Sequence, residues 1–511
     1  MSDTQTSTEP KVSVPAQAAK ESPVDTSAQA AALQEPDVAI GEHGFAMRGL
    51  QRLPSSPIFS GRFGRMFRNL EPFLPDLQLI DRLAREVAEP NPEGGEHEDR
   101  SVPAGYTFLG QFIDHDLTFD PTSSFQRHND PDALVNFRSP RFDLDCLYGR
   151  GPADQPYLYA RDSGGERFRI ASRDGTLDLP RDEQGLALIG DPRNDENLII
   201  SHVQLTMLAL HNQTVDWLSL PGNQEHIHAD EDVFTAAQRL VRWHYQWVVL
   251  HDFLPRIVDP DIVADVVVRE PLVPGGEPAD QVRLGFFHWR EAPFMPVEFS
   301  VAAYRFGHST VRSSYTLNSR VGSKPIFTEQ PAQQFPHAHL GGFRPLPEGW
   351  QIDWARFFPT SEGSDQLQFN RKIDRFLAPP LLDLPPDQAK GISNLAKRNL
   401  LRGARLGLPS GQDVARTLGV RPLVADDLPD PAPLWYYILR EAEPKSRLGP
   451  VGGRIVAEVF AGLLHDDPSS YLCNAPAWRP VFDAAQPGEF TMTDLVNFAG
   501  VGVAEQPAQR S

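Results

Sequence analysis

The chain has 511 residues, of which 40% are hydrophobic, so it is long enough for one large domain or about three average ones. Its 68 acidic residues against 48 basic ones give a net charge of -20, which argues against nucleic acid or an anionic membrane surface as a partner. Two cysteines are fewer than a disulfide-stapled secreted protein of this length usually carries, and no run of about 18 apolar residues predicts a membrane span.

The first 44 residues contain no aromatic side chain and are rich in Ser, Thr, Ala, Pro, Gln and Glu. Such a segment buries too little apolar surface to offset its ordering entropy, so we expect residues 1–44 to be disordered. A folded body is expected over 45–503, followed by a loose tail over 504–511. The chain shows no basic segment followed by an apolar one, so a secretory signal is not predicted. Together with the low cysteine count, this favours a cytoplasmic location, and export by a non-classical route stays open.

A helix with an unusual polar face is predicted over 106–119. Gln111, Asp114 and His115 lie at i, i+3 and i+4 and share one face, while the opposite side is broadly apolar. A solvated polar face with a surface histidine is the ordinary interpretation of such a pattern. Asp116, however, points into the apolar side, where a carboxylate needs a cationic partner or a metal ion.

An acidic loop follows over 139–149. Ser139, Asp143 and Asp145 lie at even offsets, so their oxygens can point the same way from an extended or winding backbone. Calcium takes such oxygen ligands, and a buried Asp116 that needs a cation favours a calcium site over an acidic turn without metal. The loop lacks the glycine and the closing glutamate of an EF-hand.

Further along, short hairpins and loops are predicted over 151–190, and a helix is predicted to start within Gly190–Asn197 and to continue to about Leu218. Arg193 and Glu196 would lie in its first turn, where the carboxylate is favourable at the positive end of the helix. Other helices are predicted over 76–88, 232–254, 432–442 and 452–465, with Pro255 ending the second of these.

A second distinctive stretch is Glu298–Ser309, which is also predicted to be helical. Phe299, Ala302, Ala303 and Phe306 fall at i, i+3, i+4 and i+7, and the small residues allow a large flat group to approach closely. A lone histidine on such a helix, His308 here, is by itself more often a packed or surface residue than a metal ligand.

Four stretches, in this order, resemble the most characteristic strings of the animal haem peroxidase superfamily, the myeloperoxidase and peroxidasin group. They are Phe108–Asp116, Gly190–Glu196, Ala302–Ser309, and Asn399 with Arg402 and Gly407–Pro409, and the loop Ser139–Asp145 is similar to the calcium-binding loop of the same family. The resemblance implies a mainly α haem peroxidase fold, with haem between a distal and a proximal helix and a few short β-hairpins. Asn197 stands where myeloperoxidase has a methionine, and Thr118 stands where it has an acidic residue. In these departures the chain resembles a bacterial-type branch of the superfamily.

The resemblance also implies roles for individual residues. His115 would transfer the proton of hydrogen peroxide, Arg193 would stabilise the developing negative charge, and Gln111 would hold a water or small anion. His308 would bind the haem iron with Asn399 orienting it, and Arg305 would meet a propionate. Because Asp114 and Glu196 are both present, the resemblance allows two ester links between their carboxylates and haem b. The implied calcium ligands are Asp116, Ser139, the Arg141 carbonyl, Asp143 and Asp145.

The implied function is a peroxidase that reduces hydrogen peroxide and oxidises a small donor, a halide, pseudohalide or phenol, through an oxoferryl intermediate. Two haem alternatives stay open: a cyclooxygenase-like fatty-acid dioxygenase and a redox sensor without turnover. The dioxygenase branch uses a tyrosine three residues before the proximal histidine, where this chain has Arg305, with Tyr304 one position earlier. A third alternative is a calcium-stabilised interaction protein that has lost haem. The presence of both His308 and Asn399 argues against it.

Overall fold

The computed structural model describes residues 61–88, 98–119, 135–136, 138–173, 175–289, 292–332, 334–359, 365–385, 391–486 and 488–501. This part of the chain is mainly helical with short strands, which confirms the predicted fold class. The expectations for the segments 1–44 and 504–511, and for the start of the folded body at residue 45, lie outside these residues.

The helical elements follow in chain order. The α-helices are α1 (Leu77–Glu86), α2 (Gly105–Leu117), α3 (Asp145–Tyr148), α4 (Leu198–Leu218), α5 (Val233–Trp247), α6 (Leu254–Ile257), α7 (Pro260–Val266), α8 (Gly307–Thr310), α9 (Pro379–Leu382), α10 (Leu395–Arg405), α11 (Gly411–Thr417), α12 (Leu434–Ala442), α13 (Gly452–His465), α14 (Tyr471–Asn474) and α15 (Met492–Ala499). Short 3-10 turns cover Pro156–Leu158, Pro192–Asp195, Gln224–His226, Ala303–Phe306 and Trp354–Arg356, and π-helical turns cover Val248–Phe253 and Glu298–Ala302.

The strands are short, with two to six residues each. They are β1 (Gly61–Gly64), β2 (Glu98–Pro103), β3 (Val135–Asn136), β4 (Ala171–Arg173), β5 (Thr176–Asp178), β6 (Val267–Pro271), β7 (Pro278–Val282), β8 (Phe294–Pro296), β9 (Ser314–Thr316), β10 (Ser323–Pro325) and β11 (Phe369–Arg371). In the three-stranded sheet, β1 pairs antiparallel with β3 and parallel with β8. β2 pairs with β11, and β4–β5, β6–β7 and β9–β10 form hairpins.

Helix α4 lies at the centre of the helical body. It is apolar on nearly all sides, and a helix of that kind is stable only when it is enclosed by other elements. Helices α2, α5 and α15 and the turn before α4 pack around it. The buried hydrophobic side chains of the described residues form one core cluster that includes α2 and α4. Within that part of the chain, no helix is both long enough and apolar enough to cross a membrane.

Helix α4 begins later than predicted. Asn197 is its N-cap, since its side-chain oxygen accepts from the amides of Ile199 at 3.0 Å and Ile200 at 2.9 Å. The preceding Pro192–Asp195 forms a separate 3-10 turn, so Arg193 and Glu196 are not in the first turn of the α-helix. The competing N-cap, Asn197, lies after both residues and explains the difference.

Pro255 does not end the fifth helix, contrary to expectation. Helix α5 continues through the π-helical turn Val248–Phe253 into α6, and Pro255 occupies the first turn of α6. Pro255 has no backbone N–H to donate, and it lies where the hydrogen bonding changes from π to α geometry, so helical geometry continues past it. The helices predicted over 76–88, 432–442 and 452–465 are confirmed as α1, α12 and α13, with small differences at their ends.

The segment around His308 is not one regular helix. It passes from a π-helical turn to a 3-10 turn and then to the short helix α8, with Ala302 at φ -124° and ψ -72° between the first two. Buried Glu298 fixes its start by accepting from the backbone amides of Met66 at 3.0 Å and Phe67 at 3.1 Å. The segment is therefore attached to the arm that follows β1, and tertiary contacts override the helical periodicity.

Candidate functional site

Helix α2 presents Gln111 and His115 on one face, and both side chains meet the loop before α4. Gln111 Nε2 donates a hydrogen bond to Glu196 Oε1, and Asn197 Nδ2 donates to Gln111 Oε1 at 3.3 Å. His115 Nε2 lies 3.8 Å from Glu196 Oε1, with the His115 side chain fully buried and that of Glu196 14% exposed. An imidazole, an amide and a carboxylate from two distant parts of the sequence therefore form one polar cluster.

The other nitrogen of His115 faces the same loop. Its Nδ1 lies 2.7 Å from Oδ1 of Asn194, and Asn194 Nδ2 donates to Oε1 of Gln204 on α4 at 2.7 Å. All three side chains are buried. Groups from the 191–204 region thus lie on both sides of the imidazole, and burial together with the hydrogen bond at Nδ1 orients its ring.

Arg193 is buried against the C-terminal end of α2. Its guanidinium pairs with Asp191, with Nη2 2.8 Å from Oδ2, and donates to the carbonyl oxygens of His115 at 3.0 Å and Thr118 at 2.6 Å. The charges of Arg193 and Arg138 outweigh burial and hold the pKa of Asp191 well below its usual range. Arg193 therefore contacts the backbone of the helix that carries His115.

A segment far along the chain holds the loop that carries Glu196. Gly342 N donates to the Glu196 carbonyl at 2.9 Å, and Phe343 N donates to the Asp195 carbonyl at 2.7 Å. A Cβ at Gly342 would lie 1.8 Å from the Asp195 carbonyl oxygen, so only glycine fits there. Phe343 has a φ of 54°, in the left-handed region that non-glycine residues seldom adopt. Such a conformation persists where surrounding contacts fix the backbone.

His308 lies across from α2, near the start of that helix. It is half-buried, and the amide nitrogen of Asn399 on α10 is 3.0 Å from its Nδ1. Thr310, two residues further on, is joined to Thr107 of α2 by a hydrogen bond of 2.8 Å between their hydroxyl groups. The predicted pairing of His308 with Asn399 is thus present in the structure, and α8 is attached to α2.

Arg305 and Asp114 face each other between these two elements. Arg305 Nη1 is 3.9 Å from Asp114 Oδ2, and Arg305 Nε donates to the Ser300 carbonyl at 2.8 Å. Thr118 donates to Asp114 Oδ1 at 3.1 Å. An ion pair at this separation links the helix of His115 to the segment of His308.

The residues around His308 fit a flat dicarboxylate group such as haem. A Cβ at Gly307 would meet no heavy atom within 4 Å, so there is open space directly before His308. Burial and the nearby charges of Arg402 and Arg305 lower the pKa of Arg398 to about 10. Three guanidinium groups near one another favour an anionic ligand, and an imidazole held at Nδ1 leaves Nε2 for a metal.

A second cluster lies on the other side of α2. Ligand oxygens of Asp116, Asp143 and Asp145 all lie within 4.8 Å of one another. Ser139 joins them, because its Oγ donates to Asp143 at 2.5 Å and its amide to Asp145 at 3.2 Å. The predicted loop residues and Asp116 are therefore brought together, while Arg141 turns its guanidinium towards Asp467, 3.9 Å away.

These carboxylates are electrostatically costly without a cation. Burial, reinforced by Asp143 and Asp145, raises the pKa of Asp116 well above its usual range. Burial also raises the pKa of Asp145 to about 8, although Arg138 lies 3.5 Å from it and opposes the shift. Among the described groups, neither oxygen of Asp116 accepts a hydrogen bond of good geometry. Such a cluster suits a hard divalent cation.

Several site residues could not be found from the sequence. Asn194, Gln204 and Gly342 act through contacts between distant segments, and no local periodicity marks them. The adjacent pair Gly341–Gly342 was the one available signal for a close backbone approach. Arg398 directly precedes Asn399, so its place beside the arginine cluster could have been inferred from helix geometry. His211 lies apart from this site, where its Nδ1 is hydrogen-bonded to the Tyr148 hydroxyl at 3.0 Å.

The chain belongs to the animal haem peroxidase family. A sequence profile of this family matches residues 127–425, more than half of the chain, which includes Arg193, His308 and Asn399 and begins after His115. Members of the family normally bind haem, and the described residues fit that group.

Two curated relatives match over part of their length. The chorion peroxidase of Drosophila melanogaster is 24% identical over 309 residues, 56% of this chain and 35% of that protein. Dual oxidase 1 of Caenorhabditis elegans is 25% identical over 250 residues, 46% of this chain and 14% of that protein. The chain thus spans about a third of the first relative and a smaller part of the second.

Two solved structures share the fold. Peroxidase A from Dictyostelium discoideum has a TM-score of 0.53 at 17% identity, covering 86% of this chain and 93% of that one. The fatty acid alpha-dioxygenase of Oryza sativa has a TM-score of 0.52 at 14% identity, covering 85% and 78%. At these identities the likeness establishes the fold, and the choice between the two reactions depends on the residues of the site.

Proposed function

We propose that this protein is a haem-dependent peroxidase that reduces hydrogen peroxide and oxidises a small donor, a halide, pseudohalide or phenol. The observation that carries the proposal is the paired arrangement of two imidazoles. His115 and His308 lie on elements that are joined by Arg305 and Asp114, and each has its Nδ1 against an asparagine, at 2.7 Å and 3.0 Å. One imidazole can move a proton while the other binds a metal.

The proton chemistry is assigned to His115. When bound, haem supplies the iron and the oxidising capacity of the reaction. His115 Nε2 accepts a proton from hydrogen peroxide and returns it to the departing oxygen, which leaves as water. Gln111 donates a hydrogen bond into the same cluster and would hold a water or small anion. Arg193 contributes positive charge from the end of the same helix, where its contact with the His115 carbonyl also fixes the position of the base.

The binding chemistry is assigned to His308. His308 would hold the iron through Nε2, and Asn399, whose amide nitrogen lies 3.0 Å from Nδ1, would turn its amide oxygen to accept the Nδ1 proton. Arg305 and Arg402 would bind the carboxylates of the haem, and the open space beside Gly307 would admit its edge. Asp114 and Glu196 are the carboxylates that this arrangement makes available for ester links.

We also propose that calcium binds between α2 and the 139–145 loop, with Asp116, Ser139, the Arg141 carbonyl, Asp143 and Asp145 as ligands. Three carboxylates within 4.8 Å of one another support this proposal, since their mutual repulsion is relieved by a divalent cation. Because Asp116 follows His115 in sequence, the ion would also fix the helix that carries the proton-transfer residue.

Fatty-acid dioxygenation is the competing reaction, and the environment of Tyr304 opposes it. The hydroxyl of Tyr304 donates to the Gly110 carbonyl at 3.2 Å, and its ring stacks on Phe299 with centroids 4.8 Å apart. Burial raises the pKa of Tyr304 well above its usual range. A phenol that is already packed and hydrogen-bonded to the backbone is poorly placed to meet a long-chain substrate.

The test is an absorption spectrum of haem-loaded protein before and after hydrogen peroxide. We expect a ferric Soret band in the wild type and in His115→Gln, and its loss in His308→Ala. Peroxide should shift the band rapidly in the wild type and at least about a hundredfold more slowly in His115→Gln. A band that ignores peroxide in the wild type would contradict the peroxidase proposal and favour a sensor. Oxygen uptake with a fatty acid would instead favour the dioxygenase.

Haem attachment is tested separately by extraction with acidified solvent after peroxide treatment. Haem that stays with the wild type and is released from an Asp114→Asn, Glu196→Gln double variant would establish the ester links. Complete extraction from the wild type would mean that the haem is held without them.

A further inference from the structure

A chain of two hydrogen bonds runs from His115 through Asn194 to Gln204. His115 Nδ1 lies 2.7 Å from Asn194 Oδ1, and Asn194 Nδ2 donates to Gln204 Oε1 at 2.7 Å. None of the three side chains is exposed to solvent. Water therefore cannot compete for these groups, and in a site of low dielectric each hydrogen bond strongly favours one arrangement.

This chain of hydrogen bonds determines which nitrogen of His115 carries the proton. The amide nitrogen of Asn194 is committed to Gln204, so Asn194 turns its carbonyl oxygen towards His115. In this orientation of the amide its carbonyl oxygen only accepts, which assigns the proton to Nδ1 of the imidazole. A neutral imidazole has one N–H group, and Nε2 therefore keeps its lone pair.

Nε2 is the nitrogen that faces the polar cluster of Glu196 and Gln111. It lies 3.8 Å from Glu196 Oε1, in the cluster that also contains Gln111. A base with its lone pair on this side can accept a proton there, whereas the other tautomer would present an N–H group and could not.

The turn that carries Asn194 is itself rigid. Asp191 caps it by accepting from the Arg193 amide at 2.8 Å, and Pro192 fixes the backbone at the first position of the turn. The backbone N–H of Asn194 donates to the backbone carbonyl of Asp191 at 3.1 Å. The acceptor for His115 is thus fixed by the backbone as well as by Gln204.

We propose that Asn194, held by Gln204, is a positioning residue that keeps His115 in the tautomer with an unprotonated Nε2. This inference rests on the proposed peroxidase function, because it concerns the base of that reaction. Asn194 acts through His115 and needs no contact with substrate.

The experiment measures the rate at which hydrogen cyanide binds to the ferric haem-loaded protein. Hydrogen cyanide is a neutral acid that binds as the anion, so its association requires a base that takes the proton, and no turnover is involved. His115→Gln sets the rate without the base, which we expect to be about 10² to 10⁴ times lower than the wild type. Asn194→Leu removes the acceptor at similar volume and should slow association at least about tenfold.

Two further variants separate positioning from a structural role. Asn194→Asp keeps an oxygen that accepts from Nδ1 and should restore association to within about threefold of the wild type, since the tautomer is retained. Gln204→Leu frees the Asn194 amide to rotate and should give an intermediate rate. Asn212→Leu is the control, because it removes the hydrogen bonds of Asn212 with Phe168 elsewhere on α4 and should leave the rate unchanged.

The outcomes distinguish the role proposed for Asn194 from the proposed peroxidase function. Wild-type cyanide binding in Asn194→Leu, with slow binding in His115→Gln, would overturn the role of Asn194 and leave the peroxidase proposal standing. Equal loss in Asn194→Leu and Asn194→Asp, with intact Soret bands, would also overturn it. Fast cyanide binding in His115→Gln, or absence of haem from the wild type, would overturn the peroxidase proposal and the role of Asn194 with it.

Discussion

His115 and Asp116 are consecutive residues of α2 whose side chains belong to two different clusters on different sides of the helix. His115 meets Asn194 and the Glu196 carboxylate, whereas Asp116 meets Asp143 and Asp145. Successive residues of a helix point about 100° apart, so one helix can serve both sites at once. A change at the carboxylate cluster should therefore reach the proton-transfer residue through the backbone.

Removal of calcium should destabilise the protein and slow its reaction with peroxide. Without the ion, three carboxylates, of which Asp116 and Asp145 are buried, repel one another, and a ligand that binds only the folded state raises its stability. We expect the midpoint of thermal unfolding to fall by several degrees in a chelator and to recover with added calcium. Differential scanning calorimetry and the rate of the Soret shift measure the two effects.

Asp143→Asn should reproduce the effect of the chelator and abolish the response to calcium. Asp154→Asn is the control, because Asp154 is an exposed acid whose side chain is 54% accessible. A wild-type melting midpoint that is the same in chelator and in calcium would refute the calcium site.

The same cluster predicts how stability depends on pH in the calcium-free protein. Burial raises the pKa of Asp145 to about 8, whereas an unfolded chain has an aspartate pKa near 4. Between these values the folded state binds more protons than the unfolded state, so the free energy of unfolding should decrease as pH rises from about 4 to about 8. Above that range this contribution is constant.

Calcium should remove this dependence, because its ligands are ionised in the folded state. Urea unfolding across that pH range, in chelator and in calcium, measures both curves. A calcium-free protein whose stability rises steadily over the same range would mean that the carboxylates are ionised without the metal.

The parts of the site that lie within one helix were predictable from the sequence. The shared face of Gln111, Asp114 and His115 follows from helical periodicity, and the position of Asp116 among apolar residues predicted a buried carboxylate, which the structure shows. His308 and Asn399 were found through the resemblance of their motifs to a family, since neither stands out by its local pattern. Their contact is confirmed at 3.0 Å.

The remaining features depend on contacts between distant segments. The turn at Pro192–Asp195 and the change from π to 3-10 geometry before His308 arise where tertiary contacts override local periodicity. Asn194 reaches His115 across 79 positions of the sequence. A periodicity of 3.6 residues contains no information on such a contact, so the orientation of His115 could be recognised only in the structure.

Gly342→Ala should displace the loop that carries Glu196. The new Cβ would lie 1.8 Å from the Asp195 carbonyl oxygen, so the hydrogen bonds from Gly342 and Phe343 to this loop cannot both survive. We expect a loss of roughly 1–3 kcal/mol in the free energy of unfolding and a slower Soret shift with peroxide. Urea unfolding and stopped-flow absorption are the measurements.

Gly222→Ala is the matched control, because no heavy atom lies within 4 Å of the added Cβ and its φ is not positive. It should change stability by less than about 0.5 kcal/mol. If both alanine variants react with peroxide like the wild type, the 341–343 segment has no part in positioning Glu196.

Asn399→Leu should weaken the attachment of haem without preventing folding. Asn399 contacts the Nδ1 atom of His308, and loss of such an orienting partner typically costs about 10- to 100-fold in metal affinity. We expect haem to transfer to an excess of a haem-binding acceptor protein faster by about that factor. Asn399→Asp keeps an oxygen that accepts from Nδ1 and should retain haem at least as well as the wild type. Equal rates of haem loss in the wild type and Asn399→Leu would show that the imidazole of His308 is held by packing alone.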